Sequence, residues 1–217
     1  MKRFSFLCLI SLVAICLILP GVSLSQEKKY IKLKDPQMSG GMPLMEALKN
    51  RRSGREFSSK ELPDQVLSNL IWAAFGINRP ETGYRTAPSS MNRQDIDVYI
   101  ATSFGVYVYE PKEHALIQVV PDDLRAMTGT QEYVKDAAVN LIFVSDFSKL
   151  GDDEDAWKFR TARIDTGLIS QNVYLFCASE GLSTVVRGKV DMPPLAKAIK
   201  LRSDQHIIIC QSVGYPK

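Results

Sequence analysis

Residues 138–144, Ala-Val-Asn-Leu-Ile-Phe-Val, form a nearly continuous apolar run. A run of this kind reads as a central strand buried on both faces, so layers must lie on either side of it. The flanking patterns say what those layers are. Residues 96–101 and 106–109 alternate as strands do. A turn at 111–114 then leads to a third strand at 116–120, which makes a hairpin or meander. Residues 206–213 read as a final strand and 182–186 as a short β-branched one.

Between these lie helical patterns. Pro43 suits the first turn of a short helix to Asn50. Leu62-Pro63-Asp64 opens a helix to Phe75, with Val66, Leu67, Leu70, Ile71 and Ala74 at helical spacing and Gly76 ending it. Residues 78–94 read as a loop, and 122–126 and 132–136 as short helices. Asp153 or Asp155 caps a long helix to about Ser179, with Ile164, Leu168, Val173, Leu175 and Phe176 as its apolar face. Residues 192–200 read as a last helix. The expectation is one α+β domain, a sandwich with a central, mostly antiparallel or mixed sheet flanked by helices. At 217 residues and 45% hydrophobic types, the chain is long and apolar enough for one such core.

Residues 1–25 read as a secretory signal peptide. Lys2 and Arg3 precede an apolar run over 4–19, Pro20 and Gly21 break it, and Ser23 and Ser25 offer small residues for cleavage before Gln26. The apolar run is short for a membrane span of about 20 residues. The expectation is a periplasmic or secreted protein with no stable membrane anchor after cleavage. Residues 26–42 read as a flexible arm and 43–217 as the folded domain. After cleavage the balance is 25 basic to 24 acidic residues, which gives no electrostatic ground for a nucleic-acid partner. Cys8 and Cys16 leave with the signal. Cys177 and Cys210 sit in apolar runs and read as small core residues.

The chemistry is bounded first by exclusion. Only His114 and His206 occur, one in a turn and one opening a strand, and neither shows the partner a Ser or Cys hydrolase requires. His and Cys are too scattered for zinc. No Walker loop or G-x-G-x-x-G is present. The acidic run 152–155 lacks the ligand spacing of a calcium loop. No metal is expected, no side chain is singled out as catalytic, and an enzyme of this composition would lean on an organic cofactor.

Two segments stand out. Arg51-Arg52-Ser53-Gly54-Arg55 holds three guanidiniums and a hydroxyl within five residues, a donor set that suits phosphate oxygens; it also suits a solvated basic turn. Residues 85–94, Arg-Thr-Ala-Pro-Ser-Ser-Met-Asn-Arg-Gln, put hydroxyls and amides behind Pro88, as either a ligand-edge contact or a polar surface loop. Glu180-Gly181 ends the long helix. Arg187 either adds charge near a phosphate or pairs with Asp191.

Taken in order, Arg-Arg-Ser-x-Arg, then Pro-Ser-Ser-x-Asn-x-Gln, then Glu180-Gly-Leu182, with Trp72-Ala-Ala-Phe-Gly-Ile-Asn78-Arg-Pro80, Gln171-Asn172 and Gly214-Tyr-Pro216, the chain resembles the nitroreductase family of FMN-dependent oxidoreductases over about 43–216. Within it the chain looks like the branch that includes thiazole- and oxazole-forming dehydrogenases. The resemblance implies a homodimer with shared flavin sites. It assigns Arg51, Arg52, Ser53 and Arg55 to the FMN phosphate and its neighbouring atoms. Pro88, Ser89, Ser90 and Asn92 would reach the flavin of the other subunit, and Glu180 and Gly181 would lie near its N5. It also implies a further basic residue at the phosphate, for which Lys217 and Arg187 are the candidates. The implied activity is hydride transfer through FMN between NAD(P)H or another donor and a small organic substrate. A non-catalytic flavin- or ligand-binding protein on the same scaffold is the alternative.

Overall fold

The computed structural model describes residues 29–217. The signal-like segment lies outside the described residues. The elements in chain order are β1 (Tyr30–Lys32), α1 (Leu44–Asn50), α2 (Asp64–Phe75), β2 (Ile77–Arg79), β3 (Tyr84–Arg85), β4 (Ile96–Thr102), β5 (Gly105–Glu110), β6 (Ala115–Val120), β7 (Val139–Asp146), α3 (Asp155–Ser179), β8 (Ser183–Arg187), α4 (Met192–Ala198) and β9 (Gln205–Gly214).

Seven strands form one sheet in the order β1-β6-β5-β4-β7-β9-β8, and every pair in it is antiparallel. The apolar run at 138–144 becomes β7, an interior strand between β4 and β9. Its side chains alternate between two cores. Leu141 and Phe143 pack with Leu70, Ile71, Ile169 and Val173 of α2 and α3. Ile142 and Val144 pack with Leu195 of α4, Ile199 and Cys210. The period-2 geometry of the strand therefore serves two helical layers. The result is the α+β sandwich expected of the sequence, with its sheet wholly antiparallel.

Four local expectations change. Part of the segment read as a flexible arm is built into the sheet, because Tyr30–Lys32 pair with β6. The loop at 78–94 contains a short antiparallel ladder, β2 with β3. The short helix read at 122–126 lies a little later, as a 3-10 helix at Arg125–Thr128. The cap of α3 is Glu154, whose side chain makes no capping bond, while Asp153 is drawn off by Arg93 at 3.3 Å.

The larger difference is the rotation of α3. Its buried face is Ala162, Asp165, Thr166, Ile169, Ser170, Val173 and Cys177, a partly polar stripe. Ile164 and Leu168, expected in the core, are 58% and 41% exposed. The packed neighbour α1 is bare in the same way at Leu44, Met45 and Leu48. At its other end α3 stops as read: Gly181 takes φ +68°, and the Leu182 N–H reaches back to the Cys177 carbonyl at 2.8 Å. Cys177 and Cys210 are both buried and free.

Candidate functional site

Strand β8 is an edge of the sheet, so half of its peptide groups face away from β9 and need other partners. The turn Arg51–Arg55, which leaves α1, supplies one. The Gly54 N–H donates to the Thr184 carbonyl at 2.9 Å. This approach requires the bare glycine, because a Cβ there would lie 2.6 Å from Ser183 Oγ. A side chain supplies the next: Tyr174 of α3 accepts the Val186 N–H at its hydroxyl, 3.0 Å away. The same hydroxyl lies 2.9 Å from Ser53 Oγ. The Arg51 guanidinium carbon stands 5.3 Å from the centroid of the Tyr174 ring, in cation–π range.

Beside this turn is a cleft of about 440 Å³. Lys49, Arg51, Arg52, Gly181, Ser183 and Thr184 are among the residues lining it. Among the described residues, the guanidinium groups of Arg51, Arg52 and Arg55 donate to no protein oxygen and form no ion pair. Arg79, Arg85, Arg93, Arg125, Arg187 and Arg202 each donate to at least one. Arg160 and Arg163, exposed on α3, likewise donate to none among the described residues, so what sets the turn apart is three guanidiniums and Ser53 gathered beside a cleft. Helices α1 and α3 both end here, and their C-terminal carbonyls give the cleft a partial negative charge. The basic residues must outweigh it for an anion to stay.

The remaining candidates fall elsewhere in the chain. Ser90 sits over the middle of α3, its backbone N–H donating 2.9 Å to Asp165 Oδ2. Ser89 Oγ accepts the Gln94 N–H, and the Gln94 side chain joins Arg85, Gly83 and Asn92, so the loop behind Pro88 is held by its own polar groups. Met91 and Asn92 are both left-handed, at φ 51° and 54°, and both exposed. A left-handed methionine is strained. Asp165 is nine residues before Tyr174 on α3, which puts this loop roughly 14 Å along the helix from the Ser53 end.

Glu180 separates from Gly181. It is exposed at the end of α3 and lines a different cleft, of about 550 Å³, with Trp72, Phe176, Asn78 and Asn172. Arg187 reaches neither a cleft nor Asp191. It pairs across to Cys210, shares that face of the sheet and is 3% exposed. Its guanidinium donates to the Thr128 carbonyl and, at 2.9 Å, to Asn140 Oδ1. Burial lowers its pKa. It is a core group, and neither role read for it from the sequence holds. Sequence reasoning missed Tyr174 altogether. It also found no partner for His114, whose ring nitrogens lie 2.8 Å from Tyr109 Oη and Ser68 Oγ. Ser68 is fully buried and donates to the Lys34 carbonyl. This hydrogen-bond chain fastens the N-terminal segment to α2, and its Tyr109 and His114 line a cleft of about 430 Å³. Among the described residues no acidic, His or Cys cluster is arranged to hold a metal ion, and no helix is long and apolar enough to cross a membrane.

Residues 48–215 match the Nitroreductase family. A crystal structure of a candidate nitroreductase from Ralstonia eutropha superposes with a TM-score of 0.84 at 38% identity, covering 92% of this chain and 95% of that one. A candidate nitroreductase of Methanocaldococcus jannaschii is 27% identical over 181 residues, 79% of this chain and 90% of the relative. NADPH:FMN oxidoreductase from Vibrio harveyi, solved with NAD+, shares the fold at a TM-score of 0.59 and 20% identity, covering 80% of this chain and 69% of that one. The chain belongs to the nitroreductase family of oxidoreductases.

Proposed function

We propose that the chain is an exported, FMN-dependent oxidoreductase that works as a homodimer with shared flavin sites. The observation that carries this reading is the set of unpaired guanidiniums at Arg51, Arg52 and Arg55 beside Ser53. A protein does not gather like charges on one turn without cost, and a phosphate monoester relieves it with several charge-assisted hydrogen bonds. Lys49 lines the same cleft and can add to the field, whereas Lys217 lines a different one with Phe57, Ser58, Arg125 and Asp136. Bound FMN supplies the redox chemistry, passing hydride at N5 between NAD(P)H or another donor and a small organic substrate. The protein contributes anchoring and water exclusion, and the second cleft, with Trp72 and Phe176 against the amides of Asn78 and Asn172, suits a small planar organic molecule.

The homodimer reading rests on two features. Ile164 and Leu168 of α3, with Leu44, Met45 and Leu48 of α1, leave an apolar surface uncovered. The loop Pro88-Ser89-Ser90-Met91-Asn92 stands too far along α3 to serve the Ser53 end of its own chain, which fits a loop that serves the partner's flavin. Glu180 and Gly181 flank the two clefts and stand as candidates for the ring side. Export follows from residues 1–25. Since a chain that crosses unfolded cannot carry its flavin, FMN loads after export.

The test is spectroscopic turnover. FMN-loaded protein is mixed anaerobically with NADH, NADPH or dithionite, and then with a quinone or nitroaromatic. Bleaching by a nicotinamide and reoxidation by the acceptor, over many cycles, is the expected result. Flavin that is retained, bleached by dithionite alone and cycled by no acceptor would contradict the enzyme reading and leave the flavin-binding scaffold.

A further inference from the structure

We propose that Tyr174 is a positioning residue that makes Ser53 an obligate hydrogen-bond donor toward the ligand's phosphate, and thereby sets a preference for a phosphate monoester over the bare alcohol. The inference rests on the FMN reading above.

The relay begins at the sheet edge. Val186 presents its N–H outward, and Tyr174 Oη accepts it at 3.0 Å. The phenol has one proton to place, and Ser53 Oγ lies 2.9 Å away. A phenol is a better donor than an aliphatic alcohol, and a hydroxyl that accepts an N–H becomes a better donor still. Tyr174 therefore donates and Ser53 accepts. The Ser53 proton is then left without a protein acceptor among the described residues, on an exposed side chain. It can only point outward. The relay runs from backbone N–H to phenol to alcohol, and each step strengthens the next.

The same side chain holds the charge. Arg51 stands over the Tyr174 ring, two residues from Ser53 and on the lining of the cationic cleft. One aromatic residue, 121 positions away in sequence from Ser53, thus fixes a neutral donor and a cation of the same turn. An acceptor-only dianion satisfies both. A ribityl hydroxyl carries no charge and brings a proton of its own, so it gains little from either.

The experiment measures dissociation constants of FMN and of riboflavin for the full chain and three variants. Tyr174→Phe keeps the ring under Arg51 and removes only the hydroxyl. It should weaken FMN about 5-fold and leave riboflavin within about 2-fold, because Ser53 keeps its proton but nothing directs that proton at the phosphate. Ser53→Ala removes the donor itself and should weaken FMN about 10-fold, the size of one charge-assisted hydrogen bond, and the double variant should be no worse than Ser53→Ala alone, because Tyr174 acts through the Ser53 proton. Equal losses for FMN and riboflavin, an unchanged FMN constant in Tyr174→Phe, or additive losses in the double variant would overturn the role of Tyr174 while leaving the FMN reading intact. A wild-type chain that binds no FMN overturns both. Ser53→Ala lies on an exposed turn and keeps the test decisive if the helix variant folds poorly: an FMN-to-riboflavin ratio like the wild type's contradicts the inference.

Discussion

Arg187 and Arg51 lie a few residues along β8 from one another in space, yet they are opposite kinds of arginine. Arg187 is sunk into the face of the sheet that α4 covers, where Thr128 and Asn140 take up its donors. Arg51, with Arg52 and Arg55, stays at the edge of the same strand with no acceptor of its own and only the Tyr174 ring for company. The first has both terminal nitrogens bonded inside the fold, with only its Nε left without a partner among the described residues; the second has none bonded. Charge that a fold leaves unpaired and pinned in place marks where a ligand completes it, and charge settled inside marks architecture.

The sharpest way to break this contrast is to remove each in turn. Arg187→Met should cost about 3 kcal/mol, because the Thr128 carbonyl and Asn140 lose a buried donor. The melting temperature should fall by roughly 10 °C. Arg51→Met should stay within about 0.5 kcal/mol of the wild type in stability. Thermal melts of the two variants check it; similar losses in both would erase the distinction.

The apolar counterpart of Arg51 is the bare stripe on α3. If the proposed dimer forms through this stripe, Leu168→Asp and Ile164→Asp should leave a monomer in sedimentation while hardly changing the monomer's own stability, since both side chains are exposed within one chain. A wild type that sediments as a monomer would contradict the dimer directly.

Buried acids extend the comparison. Asp165 is 3% exposed beside fully buried Asp95, with no cation at hand, and burial followed by the neighbouring carboxyl raises its pKa to about 6. A carboxyl whose pKa is raised on folding holds its proton longer in the folded state than in the unfolded one. Its penalty is therefore absent below the unfolded value near 4, grows as pH rises, and is complete above about 6. Asp165→Asn should raise the melting temperature at pH 7 by a few degrees and flatten its dependence between pH 4 and 7. An unchanged pH profile would remove Asp165 from the account. The smallest effect belongs to a pair that is settled but on the surface: Asp153→Asn, which leaves Arg93 its bond to the Leu150 carbonyl, should cost under about 0.5 kcal/mol in a chemical melt.

Much of this was legible in the chain. Strands β4 to β6 announce themselves by alternation and β7 by its nearly continuous apolar run, because packing on one face or on both selects those residues locally. The Arg51–Arg55 turn was legible as a donor set. The face of α3 was not, since the helix buries Asp165, Thr166 and Ser170 and exposes Ile164 and Leu168, which inverts the usual polarity; only the partners across the sheet fix that rotation. Arg187 could have been placed with more care. It follows Val185 by two in a strand, so it shares that residue's buried face. Tyr174 carried no local signal: its partners, Ser53 and Val186, meet it only in the folded molecule. Tyr30–Lys32 is too short a strand to announce itself against a polar lead-in.

Whether the unpaired arginine turn holds a flavin phosphate is read from the absorption spectrum of the protein after incubation with FMN and desalting. The expected result is a retained flavin spectrum near one FMN per chain, lost in the Arg51→Ala, Ser53→Ala double variant, which should still fold and melt as the wild type does. A folded wild-type protein that retains no flavin, or a double variant that retains as much as the wild type, would contradict a phosphate site at this turn.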